Sequence, residues 1–348
     1  MTTKHFLVFS FFFAVKVFAQ QDKHLSMWNE NPSNLNAGAV GVMDEDFRLL
    51  ANYRMQWLTI EGQPFTTANF SFDTKVKMKK SFNSLGFGVN FSNDQTGDAR
   101  IVSNVASVPI AFSLALDKQN FISLGISPGF YMQSLTQGSQ TWDTQWDGST
   151  FNQGINNQEF ENLTYTASSF DIGTGIHYKY IADENSYLKA GISMNHLNSP
   201  NLTYLGSNGS LFKTFNIMVS GSKFYPNKKL AISPQALLSF MGPNHYFLCG
   251  SYIEHELFES SERTDYKQRS FFSYGLFMRW NDAVIASLSY KKGGLKIGLS
   301  YDINYSSLRS YTKTVGAAEV FLKYSMIADK RGTIHDRKFF RWKGTGTL

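Results

Sequence analysis

One cysteine, Cys249, stands in 348 residues, which excludes an intrachain disulfide and a cysteine-built metal cluster. Only 8 residues are proline, and beyond the N-terminus no stretch approaches the roughly 18 apolar residues that a spanning helix needs. Catalytic signatures are also missing. The 7 histidines are scattered without an H-x-x-x-H pair, and neither a phosphate-binding Gly-Lys loop nor a G-x-S-x-G elbow occurs. The sequence therefore argues against an enzyme and calls for no cofactor and no metal. A strong charge bias is absent as well, although the formal net charge is +6. Lys4 and Lys16 lie in the leader, and the last twenty residues hold a +4 excess, so the remainder sums to about zero and offers nothing to a nucleic acid.

What the chain has in abundance is alternation. From Leu295 to Asp302, Leu295, Ile297, Leu299 and Tyr301 alternate with Lys296, Gly298, Ser300 and Asp302, a period of two that places the apolar groups on one face of a strand. Val284, Ala286, Leu288 and Tyr290 form the same kind of row before the Lys-Lys-Gly-Gly turn, which predicts a hairpin. Phe47 to Trp57, Ala68 to Val76 and Leu85 to Phe91 repeat the pattern with charge or small residues on one face only. Pro109 interrupts another run and predicts a bulge. Fourteen such runs lie between residues 47 and 326. With 16% aromatic residues, they read as an all-β, transmembrane outer-membrane barrel of about 14 antiparallel strands, apolar face to lipid and polar face to a lumen. Length would allow two domains, but a barrel of this size is one.

The flanks differ from the barrel. Residues 1–19 have Lys4, an apolar core from Phe6 to Val15 and a small-residue site ending at Ala19, which predicts a secretory signal cleaved there. Residues 20–46 lack either periodicity, and a fourteen-strand lumen is wide enough to need filling, so this irregular segment is the expected plug at the periplasmic mouth. Residues 327–348 form a basic tail. KMKKSFN, DKQN, IADENS, FYPNKK and YKKGG are short connections, whereas SNDQTGDARIVSN, residues 136–162 and HLNSPNLTYLGSNGSL are long, so the long set should face outside. MGPNH and FESSERTDYKQ depart from that rule.

Three groups of residues invite a functional reading. The inner faces carry mixed charge, including Arg48, Arg54, Asp73, Lys189, Arg279, Lys296, Asp302, Glu319 and Lys323, which reads as an ion-paired lattice rather than a selectivity filter. Glu254 and Glu256 share one face while His255 takes the other, so the three do not form a metal site. The loop from Thr136 to Asn162 sets Trp142, Trp146, Phe151 and Phe160 beside Asp143, Asp147, Glu159 and Glu161 without a basic residue. That composition suits either a partner surface or a lid on the chain's own barrel. In the tail, Arg337, Lys338, Phe339, Arg341 and Trp342 suit an acidic periplasmic protein or lipid headgroups.

Several segments together resemble the PorP/SprF family of type IX secretion outer-membrane proteins. They are ENPSNLNAGAVG, NYRMQWLTIEGQPFTTANFSFDT, LFMRWNDA from Leu276 to Ala283, and LKIGLSYDINYSSLRSYTKTVGAAEVFLKYSM. Within them, Arg54, Gln56 and Asp302 are the lumen-facing motif candidates. The family's Asn-Pro-Ala step appears here as Asn36-Ala37-Gly38, and the chain runs on into the basic tail, so the core-machinery and adhesin-specific subgroups both stay open. The resemblance implies an outer-membrane barrel serving secretion, gliding or surface attachment. Its implied partners are membrane lipid, a secreted adhesin or other cargo, and periplasmic secretion components. A transporter for small hydrophobic solutes is the alternative of a different class.

Overall fold

Each of the fourteen alternating runs is a strand in the computed structural model of the chain. The structure describes residues 23–60, 63–79, 81–97, 101–135, 143–152, 154–155, 166–202, 209–258 and 269–326. The strands are β1 (Phe47–Gln56), β2 (Phe65–Lys77), β3 (Ser84–Thr96), β4 (Ile101–Ser107), β5 (Ile110–Ala115), β6 (Asn120–Leu135), β7 (Thr166–Asp183) and β8 (Ser186–Asn195). They continue as β9 (Thr214–Tyr225), β10 (Leu230–Met241), β11 (Asn244–Phe258), β12 (Ser270–Arg279), β13 (Ala283–Lys292), β14 (Leu295–Asn304) and β15 (Val315–Met326). β4 and β5 both pair with β3 on one side and β6 on the other, so they share one position and the barrel has fourteen. β15 pairs antiparallel with β1, from Phe47↔Met326 to Gln56↔Ala317, and closes the sheet. Closure leaves no edge, which lets strands cross a bilayer with their backbone groups satisfied. No described helix is long and apolar enough to cross a membrane.

Two local expectations are corrected. Pro109 separates β4 from β5 without a bulge, because the register runs unshifted past it: Asn90↔Ser107 is followed by Phe87↔Ile110, three residues on in both strands. Proline removes one ladder donor but adds no residue. The stretch SNDQTGDARIVSN is mostly strand rather than outer loop, since β3 runs to Thr96 and β4 begins at Ile101. Its polar residues pair across the hairpin, as Asn93 Nδ2 does to Asn104 Oδ1 at 2.8 Å. MGPNH is a tight turn at Gly242, whose φ of 56° suits glycine.

The faces divide as the alternation requires. Leu295, Ile297, Leu299 and Tyr301 are exposed on the outer wall, while Lys296, Ser300 and Asp302 between them are buried. Glu254 and Glu256 point inward and buried, while the His255 ring stacks on Tyr274 outside at 5.7 Å. The inner face is less uniformly polar than the sequence implied. Met218, Leu237, Leu248, Tyr252, Phe277, Ile285 and Phe321, from β9 to β15, form an apolar cluster inside the lumen. They are inside because Met27 and Trp28 of the N-terminal segment pack against them.

That segment, residues 23–46, occupies the lumen. It contains three short helical turns, Trp28–Glu30, Pro32–Leu35 and Ala37–Ala39, before entering β1. Expected in or across the periplasmic mouth, it extends from there along the lumen. His24 and Ser26 meet residues at the ends of β1, β12 and β14 far from Phe47, and Asp46 bonds Met326 at the near end. The signal and the tail lie outside the described residues.

Candidate functional site in the barrel lumen

The alternating period aims every second side chain of the wall at the segment inside, so the site is the contact between that plug and the inner rows. At its far-end half the contact is ionic. Arg54 of β1 pairs with Asp302 of β14 at 2.9 Å and with Glu319 of β15 at 3.2 Å, and Arg279 of β12 reaches Asp302 at 2.5 Å. Ser26 sits in the middle of these charges. Its hydroxyl donates to Asp302 at 2.8 Å and accepts from Arg54 and Arg279, and its backbone N–H donates to Glu319 Oε2 at 2.8 Å. Arg279 also donates to His24 Nε2 at 2.7 Å, and Gln56 lies 3.5 Å from the same nitrogen. Burial, with the Arg279 and Arg54 charges beside it, holds the His24 imidazole well below its ordinary range, so the ring is neutral and Nε2 accepts. The motif candidates Arg54, Gln56 and Asp302 are thus brought together, with the plug as the object they hold.

One turn further, Glu30 bridges Lys296 at 2.7 Å and Lys323 at 3.0 Å. Burial would raise the Glu30 carboxyl, but the two ammonium groups outweigh it and bring it down to about 2. Lys296 also lies over the Tyr252 and Phe321 rings, at 5.7 and 5.8 Å. Nearer the other end Arg48 pairs with Asp73 at 2.7 Å, and Asp73 Oδ2 accepts from Gly41 N–H at 3.2 Å. The mixed inner charges are an ion-paired lattice, as the sequence indicated, but it includes carboxylates of the plug, Glu30 and Asp44.

Between these anchors the contact is one of shape. Asn36 donates to the Ile176 carbonyl at 3.0 Å and accepts from Gly38 N–H at 2.8 Å. A Cβ placed on Gly125 would overlap the Ala37 carbonyl, and one on Gly86 the Val40 carbonyl, so these inner positions must be glycine for the plug backbone to lie against the wall. Asn90 of the inner face of β3 donates to the Ser33 carbonyl at 3.2 Å.

The partner-surface candidates fall elsewhere. Asp143 opens a short helical turn, and Trp146 and Phe151, each about half exposed, meet edge to face at 5.0 Å. Asp147 accepts from the Ser149 and Thr150 N–H groups at 2.8 Å, closing the turn. Trp142 and Phe160 lie outside the described residues, as do Arg337, Lys338, Phe339, Arg341 and Trp342. Among the described residues no group of three metal-ligating side chains occurs.

A family model described as type IX secretion system membrane protein PorP/SprF matches residues 17–324. No curated protein matches the chain. Among solved structures, a monoaromatic hydrocarbon channel, CymD, is similar at 11% identity and a TM-score of 0.50, with 86% of this chain and 93% of that one covered. The toluene transporter TbuX of Ralstonia pickettii is similar at 12% identity and a TM-score of 0.48, covering 84% of this chain and 92% of that one. At such identities the likeness concerns the barrel fold alone.

Proposed function

Because the chain belongs to the PorP/SprF family of type IX secretion system membrane proteins, we propose that it acts in the outer membrane as a closed barrel. Its work is done by its two ends and not by passage through its lumen. The observation that carries this is the plug, whose residues from Leu25 to Val42 are mostly buried within the barrel and tied to it by the ion pairs of Glu30 with Lys296 and Lys323. Removing one partner of such a pair costs about 3–5 kcal/mol, so the plug is not casually displaced.

An even number of strands puts both ends of the barrel domain on one side, which by the usual rule is the periplasm. The loops after β6 and β8 then face outside. The half-exposed Trp146 and Phe151 beside Asp143 and Asp147 offer aromatic anchors with acidic neighbours, a composition suited to a basic patch on a secreted adhesin or other cargo. The basic tail with Phe339 and Trp342, on the periplasmic side, suits a component of the secretion machine.

Two truncations test this. Removing residues 137–161 should abolish surface display or retention of a cognate adhesin and leave the barrel assembled. Removing residues 331–348 should reduce co-purification with periplasmic secretion components from native outer membrane and spare the loop's partner. If the loop deletion leaves every surface protein in place, the adhesin role fails and the structural role in the machine leads.

Transport of small hydrophobic solutes is favoured by one feature, the apolar cluster inside the lumen. That cluster is filled by Met27 and Trp28, and the enclosed space next to it is about 30 Å³. An engineered apolar cavity that takes benzene is about 150 Å³, so an aromatic solute does not fit in that space while the plug is docked. Uptake of such a solute into liposomes by the intact protein would overturn the closed-barrel reading.

A further inference from the structure

Two rungs of the barrel set lysine opposite lysine on the inner face. Lys296 of β14 is in register with Lys323 of β15, and Lys179 of β7 with Lys189 of β8. Like charges directly opposed repel, and all four side chains are buried, between 2% and 7% exposed. The plug answers the first rung in full, because Glu30 pairs with both lysines. It answers the second by half. Asp44 pairs with Lys179 at 2.8 Å, and no carboxylate among the described residues pairs with Lys189. The Lys189 amine lies 5.3 Å from the Tyr187 ring centroid, and one aromatic face does not offset the desolvation of a buried charge.

Beside Lys189, between plug and wall, is a cavity of about 30 Å³ lined in part by Trp28, Asn29, His177, Tyr187 and Gln235. Trp28 Nε1, His177 Nδ1 and Gln235 Oε1 are buried and have no hydrogen-bond partner among the described residues. The indole N–H is a donor only, so it requires an acceptor. The Gln235 amide presents its NH₂ instead of its oxygen after a half-turn, and the imidazole donates from whichever nitrogen holds the proton. One water needs about 10–15 Å³, so the space holds about two waters or one single-atom anion, and it is too small for a carboxylate-bearing metabolite. Water would satisfy the N–H groups but would leave the buried Lys179 and Lys189 rung with the single carboxylate of Asp44.

We propose that this cavity is a binding site for one small anion, chloride in the cell, held by Lys189 and the Trp28 indole so that it completes the second lysine rung as Glu30 completes the first. The proposal does not depend on the secretion role.

The test uses the whole mature protein. Crystals grown with bromide in place of chloride should show one anomalous peak in contact with Lys189 Nζ and Trp28 Nε1. In detergent, replacing chloride by gluconate at constant ionic strength should lower the melting temperature of the wild type, since a ligand bound only to the folded state stabilises it. Lys189→Met should abolish that chloride dependence, and Lys296→Met should retain it. Water alone at the position in bromide crystals would overturn the proposal. So would equal chloride dependence in wild type and Lys189→Met. A bromide peak without any chloride dependence in solution would mark an adventitious ion only and would overturn it too.

Discussion

Two stretches of the plug are held by different physics. Residues 24–30 are fixed by charge, through His24, Ser26 and Glu30 against Arg54, Arg279, Lys296 and Lys323. Residues 36–41 carry no charge and are fixed by fit, with the backbone from Ala37 to Val40 resting on glycines of the wall and Asn36 turning into the sheet. The difference teaches how each stretch can be released. An ionic anchor responds to protonation and to loss of one partner, whereas a glycine-lined socket responds only to added volume.

The largest effect is expected from volume. Gly125→Val places a branched side chain where the Ala37 carbonyl lies, and backbone cannot yield as a flexible side chain would. The variant should assemble as a barrel, because its outer row is untouched, but lose docking of residues 36–41. Thermolysin, which cleaves before apolar residues such as Val40 and Val42, should then cut the segment in the folded variant and not in wild type. Glu30→Gln should come next. It leaves Lys296 and Lys323 opposed and unpaired, at a cost of about 3–5 kcal/mol, read as a lowered unfolding midpoint in urea. Ile297→Arg on the outer row should cost about 2–4 kcal/mol of barrel stability in a lipid bilayer, with thermolysin protection of the plug retained. If it released the plug as well, outer wall and plug would not be separable.

The smallest effect is that of pH. His24 is neutral when docked and its pKa is lowered, so its contribution is complete above its ordinary 6.5 and declines as pH falls below that. Glu30 is also lowered, so its contribution is complete above 4.5 and declines toward pH 2. Protection of the plug from protease should therefore weaken in two stages on acidification. His24→Gln should remove the first stage and leave the second.

The barrel was legible in the sequence because its period is two and its walls face two solvents. Ile297 and Lys296 each report their side by polarity alone. The pairing inside was not legible, since Glu30 meets Lys296 across 266 positions and no local pattern encodes such a distance. That the lysines oppose each other appears only once the register is known. The plug's irregularity is itself explained: its neighbours come from many strands, so no single period suits it. Glycines in the inner rows of β3 and β6, at Gly86 and Gly125, were the available signal that a backbone approaches there. The apolar patch inside the lumen was missed because a row of large apolar residues marks lipid and a packed plug equally well. Of the surface candidates, the Asp143 to Phe151 turn is placed, and what it contacts was not legible, as a partner's surface is written in another chain.

Ion conductance across a planar bilayer tests the closed barrel most directly, comparing the mature protein with a form lacking residues 20–46. The account predicts that the mature protein holds the membrane closed and that the truncated barrel opens a steady conductance. Equal conductance from the two would contradict it.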